Sequence, residues 1–162
     1  MNIEAVKLSW SEDCNIIVGQ SHFIKTVEDI GEIMAQSLPG ATYGFAFNEA
    51  SAPRLIRTAG NDPKLIEDAV GCAKATGAGH TFYLVLGKGC FPVNVLDRIK
   101  NCPEVVSIFA ATGNPLEAIV ARSEQGAGIL GVIDGGSPLG VEGDTDKAAR
   151  ISLLRNFGYK FG

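Results

Sequence analysis

Residues 76–88 read Thr-Gly-Ala-Gly-His-Thr-Phe-Tyr-Leu-Val-Leu-Gly-Lys, and within them Phe82–Leu86 is an unbroken apolar run bracketed by glycines. Such a run, rich in aromatic and aliphatic side chains, suits a strand covered on both faces. The chain must therefore supply a sheet around this segment and a layer on each side of it. Gly77 and Gly79 can take φ > 0 and let backbone approach a ligand closely. They place His80, one of two histidines, at a helix-to-strand corner where N–H groups can face an anion or a ring.

Other segments read as partners for that strand. Ile3–Trp10 and Cys14–Gly19 are β-favouring runs either side of Ser11-Glu12-Asp13, the pattern of an opening hairpin. Thr26-Val-Glu-Asp29 resembles a capping box, with Val27, Ile30, Ile33, Met34 and Leu38 following at helical spacing until Pro39-Gly40. Tyr43–Phe47 and Leu55–Thr58 form a strand pair around a loop, residues 48–53, too long and polar for a tight turn. Asp62 is an N-cap with Pro63 at the first helical position, and Leu65, Ile66, Ala69, Val70 and Ala73 share one face. Pro92 opens a further helix through Val95, Leu96 and Ile99.

Beyond residue 103 the texture changes. Residues 104–111, 116–122 and 129–134 read as three strands of an antiparallel meander. A last helix, about 145–156, is expected to turn Ala148, Ile151 and Leu154 inward. The 162 residues are thus expected to form a single α/β domain with α+β character, a mixed β-sheet carrying packed helices and a C-terminal antiparallel meander.

Charge and cysteine usage narrow the function. A net charge of −4, with no basic run interleaved with aromatics, argues against nucleic acid as a partner. Four cysteines, at 14, 72, 90 and 102, show no C-x-x-C spacing and read as reduced thiols. No leader pattern and no apolar stretch of roughly 20 residues occurs, so the expectation is a soluble, cytoplasmic protein with no membrane partner.

Motifs for common chemistries are missing. Gly126-Ala-Gly128-Ile-Leu-Gly131 matches G-x-G-x-x-G, but a β-favouring run continues through it where the dinucleotide fingerprint needs a helix to open. The match is read as accidental; residues 126–143 are read instead as a glycine-rich strand and loop suited to a lid or an oligomer contact, or simply a surface loop. There is no P-loop, no protein-kinase signature and no Gly-x-Ser-x-Gly elbow. Two separated histidines and scattered cysteines offer no zinc spacing, so no metal ligands are assigned.

His80 remains. A lone histidine at a strand end is commonly a structural hydrogen-bonding residue, yet beside two glycines it is also placed to act as general base or phosphate acceptor. His22 lacks such surroundings. Glu49 and Ser51 in the first long loop, and Asn114 in Thr-Gly-Asn-Pro, offer a carboxylate for a ribose diol and polar groups for a purine edge. Arg57 can clamp a phosphate or brace its hairpin.

Several segments, in order, resemble those of a family of small archaeal and bacterial proteins, the adenosine-specific kinases. They are Phe47-Asn-Glu-Ala-Ser51, Arg57-Thr-Ala-Gly-Asn61, Gly77-Ala-Gly-His80, residues 91–101, Thr112-Gly-Asn-Pro115 and residues 124–135, with the likeness running on to Lys160. The resemblance implies a homo-oligomer, a trimer being favoured, that binds adenosine or AMP and passes a phosphoryl group through His80, with ATP and Mg²⁺ taking part if it is a kinase. Glu49, Ser51, Arg57, Gly77, Gly79 and Asn114 are the expected substrate-binding positions. The alternative is an adenine-nucleotide sensor without turnover, in which His80 only hydrogen-bonds the ligand.

Overall fold

The strand over Thr81–Leu86 (β5) is buried at every residue and sits third in a five-stranded sheet. The computed structural model describes all residues, 1–162. Around β5 lie Asn15–Ser21 (β2), Tyr43–Asn48 (β3), Ile56–Gly60 (β4) and Val105–Thr112 (β6), in the order β4-β3-β5-β2-β6. A second sheet of three strands, Asn2–Leu8 (β1), Leu116–Arg122 (β7) and Ala127–Asp134 (β8), has the order β1-β7-β8.

The α+β class holds, but the sheet is divided in two, and every strand pairing is antiparallel. The opening hairpin does not form: β1 pairs with β7, and β2 pairs with β5 and β6. Composition explains the split. Ile16, Ile17 and Val18 are wholly buried and need a central position, whereas β1 exposes alternate residues and suits an edge. The meander likewise reduces to the β7–β8 hairpin, because β6 joins the larger sheet.

Two apolar clusters cover the faces of the larger sheet. One contains Ile17, Phe45, Phe47, Phe82 and Leu84 beneath helix Thr26–Ser37 (α1) and helix Leu96–Lys100 (α3), which a 3-10 turn at Pro92–Asn94 precedes. The other contains Ile16, Val18, Ala46, Tyr83 and Val85, packed on helix Pro63–Thr76 (α2) and on Leu116, Ala118 and Val120 of the smaller sheet. Helix α2 can lie this close because Gly44 has no side chain; a Cβ there would stand 2.0 Å from the Leu65 carbonyl carbon.

Two local expectations are corrected. Thr26 does not cap α1; Lys25 occupies that position without a side-chain bond, and the Thr26 hydroxyl turns inward to Ser21 and Glu104. The final helix, Asp144–Asn156 (α4), forms where expected, yet Ala148 and Ile151 are exposed and only Leu154 is half-buried. No helix is long and apolar enough to cross a membrane.

Candidate functional site

The Gly77–His80 corner is built from α2. The Asp62 side chain accepts hydrogen bonds from the N–H groups of Lys64 and Leu65, at 2.9 and 3.1 Å, with Pro63 in the first turn. Gly77 ends the helix in the left-handed conformation, φ 59°, and donates its N–H to the Ala73 carbonyl. The carbonyls left over at a helix end need partners. Arg122, at the end of β7, supplies them by donating to Thr76 O at 2.8 Å and Ala75 O at 3.1 Å while Glu4 balances its charge.

Beyond the helix, Ala78 forms a parallel bridge with Ala127. That bridge brings Gly77 and Gly79 beside Gly126 and Gly128, and between them opens a cleft of about 810 Å³. The volume lies within the usual range for small-molecule sites, roughly 300–1,000 Å³. Lys74, Arg54 and Arg122 line it with positive charge, and Asn48 forms part of its floor. The Asn48 amide is buried and donates to the carbonyls of Ala73 and Ala78 at 3.1 and 3.0 Å, tying α2 and the corner to β3.

Glu49 is the only carboxylate lining this cleft. It is already engaged: Leu55 N–H donates to it at 2.8 Å and Arg57 Nε at 2.8 Å. The backbone bond from Leu55, then Arg57, holds the Glu49 carboxyl below the usual carboxylate range. The pair closes the loop over residues 50–54, in which Ala52 and Arg54 both take positive φ, 54° and 53°. With His80 at φ 61°, three of the four non-glycine residues in that region border this end of the larger sheet. Left-handed backbone costs a residue such as alanine on the order of 1 kcal/mol, and such strain gathers at ligand sites.

His80 is pinned through its backbone. Its N–H donates to Asn48 O at 2.7 Å and its carbonyl accepts from Ser21 N at 2.9 Å. The imidazole stacks on Phe47, with centroids 5.9 Å apart and planes 21° apart. Phe47 belongs to the cluster under α1, so the ring leaves the corner on the α1 side, whereas the cleft opens on the α2 side. Gly79 lines the cleft; the His80 ring lies just across the strand end from it. Arg57 is directly opposite Phe47 in the β3–β4 ladder, which puts Arg57 on the same face as the imidazole, with Glu49 reaching it from the cleft.

The structure therefore gathers Glu49, Arg57, Gly77, Gly79 and His80 at one end of the sheet. Of the other two expected residues, Ser51 shares the Glu49 loop without lining the cleft and only Asn114 is remote. Ser51 is exposed in the loop, and Asn114 stands at the opposite end of β7, about seven strand residues or roughly 23 Å away, where its amide donates to Asp134. Asn48, Lys74 and Arg122 escaped the sequence reading. Gly126 and Gly128 had a visible signal in the glycine spacing, but with no helix following it, nothing pointed to the corner they face.

A second polar group lies under α1. Asp29, Cys102 and Glu104 offer ligand atoms within 4.8 Å of one another. A cation is already present there, since the Lys25 ammonium pairs with Asp29 and lies 3.7 Å from Glu104. The adjoining Glu104 carboxyl, then the lysine, keeps the Asp29 carboxyl low. Burial raises the Cys102 thiol, with the two carboxylates adding to it, which makes it a poor nucleophile.

Residues 6–160 match the family model described as adenosine specific kinase. The crystal structure of the PH1918 protein from Pyrococcus horikoshii OT3 superposes with a TM-score of 0.93 at 39% sequence identity, covering 99% of each chain. No curated protein matches the chain. The chain belongs to the adenosine-specific kinase family, and its function is thereby of the adenosine-related kinase class.

Proposed function

We propose that the protein binds adenosine or AMP in the glycine-lined cleft and transfers a phosphoryl group by way of His80. The observation that carries this reading is the meeting of Gly77 and Gly79 with Gly126 and Gly128 around a nucleoside-sized cleft edged by Lys74, Arg54 and Arg122. Glycine lets ring and ribose lie directly against backbone, and the cations favour a phosphate. Family membership supports an adenosine-related substrate.

In the proposed step, the lone pair of an imidazole nitrogen attacks the terminal phosphorus of ATP. The bond from phosphorus to the bridging oxygen breaks, and its electron pair leaves with ADP. The phosphoryl group then passes to a hydroxyl of adenosine, which gives up its proton to solvent, and the imidazole is restored. Stacking on Phe47 fixes the ring plane, and the backbone bonds to Asn48 and Ser21 fix its position. Mg²⁺ does not fit the cleft as a protein-held ion, because its sole carboxylate is taken by Arg57 and Leu55.

One observation favours the second reading, a sensor without turnover: the ring lies across the strand end from the cleft rather than within it. Incubation with terminally labelled ATP, with and without adenosine, separates the two. Transfer predicts an acid-labile label on the protein that is lost to AMP when adenosine is added. Saturable AMP binding with no label on protein or product would leave only the sensor.

A further inference from the structure

The smaller sheet has an apolar outer face. Along β7 the side chains alternate, with Leu116, Ala118 and Val120 buried inward. The opposite face carries Ile119 and Ala121, aligned with Ile3 and Ala5 of β1 and with Ile133 of β8 one pair further along. Leu130 stands in the β8 bulge. Ile3, Leu130 and Ile133 are 56%, 61% and 50% exposed. An antiparallel sheet that met water on this side would place polar residues there; here the face is bare hydrocarbon with only Lys7 and Glu117 at its edge.

The chain leaves β8 as an arm that touches almost nothing of its own body. Gly135 donates to Pro115 O. From Gly136 to Gly162 every residue except Leu154 is exposed, and every hydrogen bond and ion pair is internal to the arm. No body element packs on α4 to form an interface, and neither core cluster reaches past Val132. Yet the arm carries Leu139, Val141, Leu153, Phe157 and Phe161, all at least half exposed. A helix of 13 residues without tertiary contacts is marginal in water, where roughly 12–15 are needed even for favourable sequences.

We propose that residues 135–162 of one chain dock on the outer face of the smaller sheet of a second copy. The two uncovered apolar surfaces belong to the same chain and are different surfaces, so each contact joins the arm of one copy to the face of another, and the assembly closes either by mutual exchange of arms in a dimer or as a ring of copies. At 28 residues the arm matches one side of a standard interface, roughly 20–30 residues. Charge agrees. The arm has four basic side chains, Lys147, Arg150, Arg155 and Lys160, against Glu142, Asp144 and Asp146, a net charge of +1, while the whole chain is −4 and the remainder therefore −5, so the arm and the body it would dock on differ in sign. Ala121 and Gly128, at one end of this face, also line the cleft, so the docked copy borders the proposed nucleoside site.

Light scattering on the full chain, Leu130→Arg, Phe157→Asp and a mixture of the two tests the proposal. The wild type should show a multiple of 17.0 kDa, and each variant should fall to the monomer mass with its circular dichroism retained. In the mixture, the intact arm of Leu130→Arg should dock on the intact face of Phe157→Asp and restore a dimer. Should Leu130→Arg fail to fold, Ile133→Lys takes its place on the same face. A monomeric wild type, either variant keeping wild-type mass, or a mixture that stays monomeric would overturn the proposal; the last would mean that arm packs on arm or face on face.

Discussion

Ala78 and Ala127 form the one parallel contact in a fold whose strand ladders are all antiparallel. Through it the end of α2 is stitched to the start of β8, and four glycines come to frame one cleft. A side chain at Gly79 should therefore act mainly on binding. A Cβ built there meets Ala50 Cβ at 3.0 Å, close enough that the loop must give. Gly79→Val is expected to fold, losing about 1–3 kcal/mol to overpacking, while AMP affinity drops at least tenfold, about 1.4 kcal/mol. Calorimetric titration beside a thermal melt checks both, and unchanged AMP affinity would remove the cleft from the ligand's path.

Arg122 holds two carbonyls at the α2 C-terminus and lines the same cleft. Arg122→Met keeps the aliphatic stem and removes the donors. The lost charge-assisted bonds are expected to cost about 1–2 kcal/mol, a fall in Tm of roughly 2–8 °C for a domain of this size. AMP binding should weaken more than adenosine binding, because only the nucleotide brings the negative charge. Equal weakening of both ligands would assign Arg122 to the corner's stability alone.

How far the sequence discloses these features depends on how local their causes are. Asp62, Pro63 and Gly77 act within a few residues of themselves, and α2 is legible from them. Phe82–Leu86 announces a doubly covered strand because burial on both faces leaves no polar position. The pairing of β1 with β7 is set by residues more than a hundred apart, and the Ser11–Asp13 break reads equally as a hairpin turn or as the passage between two sheets. Around the site, Gly77, Gly79 and His80 share one corner and are visible together. Asn48 and Arg122 reach that corner only through the fold, and nothing in their neighbours marks them. Ala148 and Ile151 look like a core face at helical spacing, and within one chain that face has no core to join.

Asp68 ties α2 to the β1–β2 connection and gives a pH dependence. Its carboxylate accepts from Ser11 N–H at 2.9 Å and Ser11 Oγ at 2.5 Å and pairs with Lys64 at 2.9 Å. Burial pushes the carboxyl up, but Ser11 and Lys64 together outweigh it and hold it below the usual 3.8. A group depressed in the folded state stabilises the fold fully above its unfolded value, near pH 4, and the gain is lost as pH falls through the lower folded value. Wild-type Tm should thus decline below about pH 4, whereas Asp68→Asn should start lower at neutral pH and decline less. Parallel slopes in acid melts of the two proteins would show that Asp68 is not the group responsible.

His80 calls for a substitution chosen by its backbone. At φ 61° alanine adds left-handed strain, on the order of 1 kcal/mol, so loss of label in His80→Ala would mix chemistry with a disturbed corner. Asparagine tolerates this region far better and cannot form a stable phosphoramidate as imidazole does. His80→Asn is expected to keep Tm within a few degrees and to keep AMP affinity within about threefold, or 0.7 kcal/mol, since the ring lies across the strand end from the cleft. The acid-labile label from ATP should vanish entirely. Should His80→Asn still take up label at the wild-type rate, the phosphoryl group goes elsewhere, and the histidine's place on Phe47 is structural.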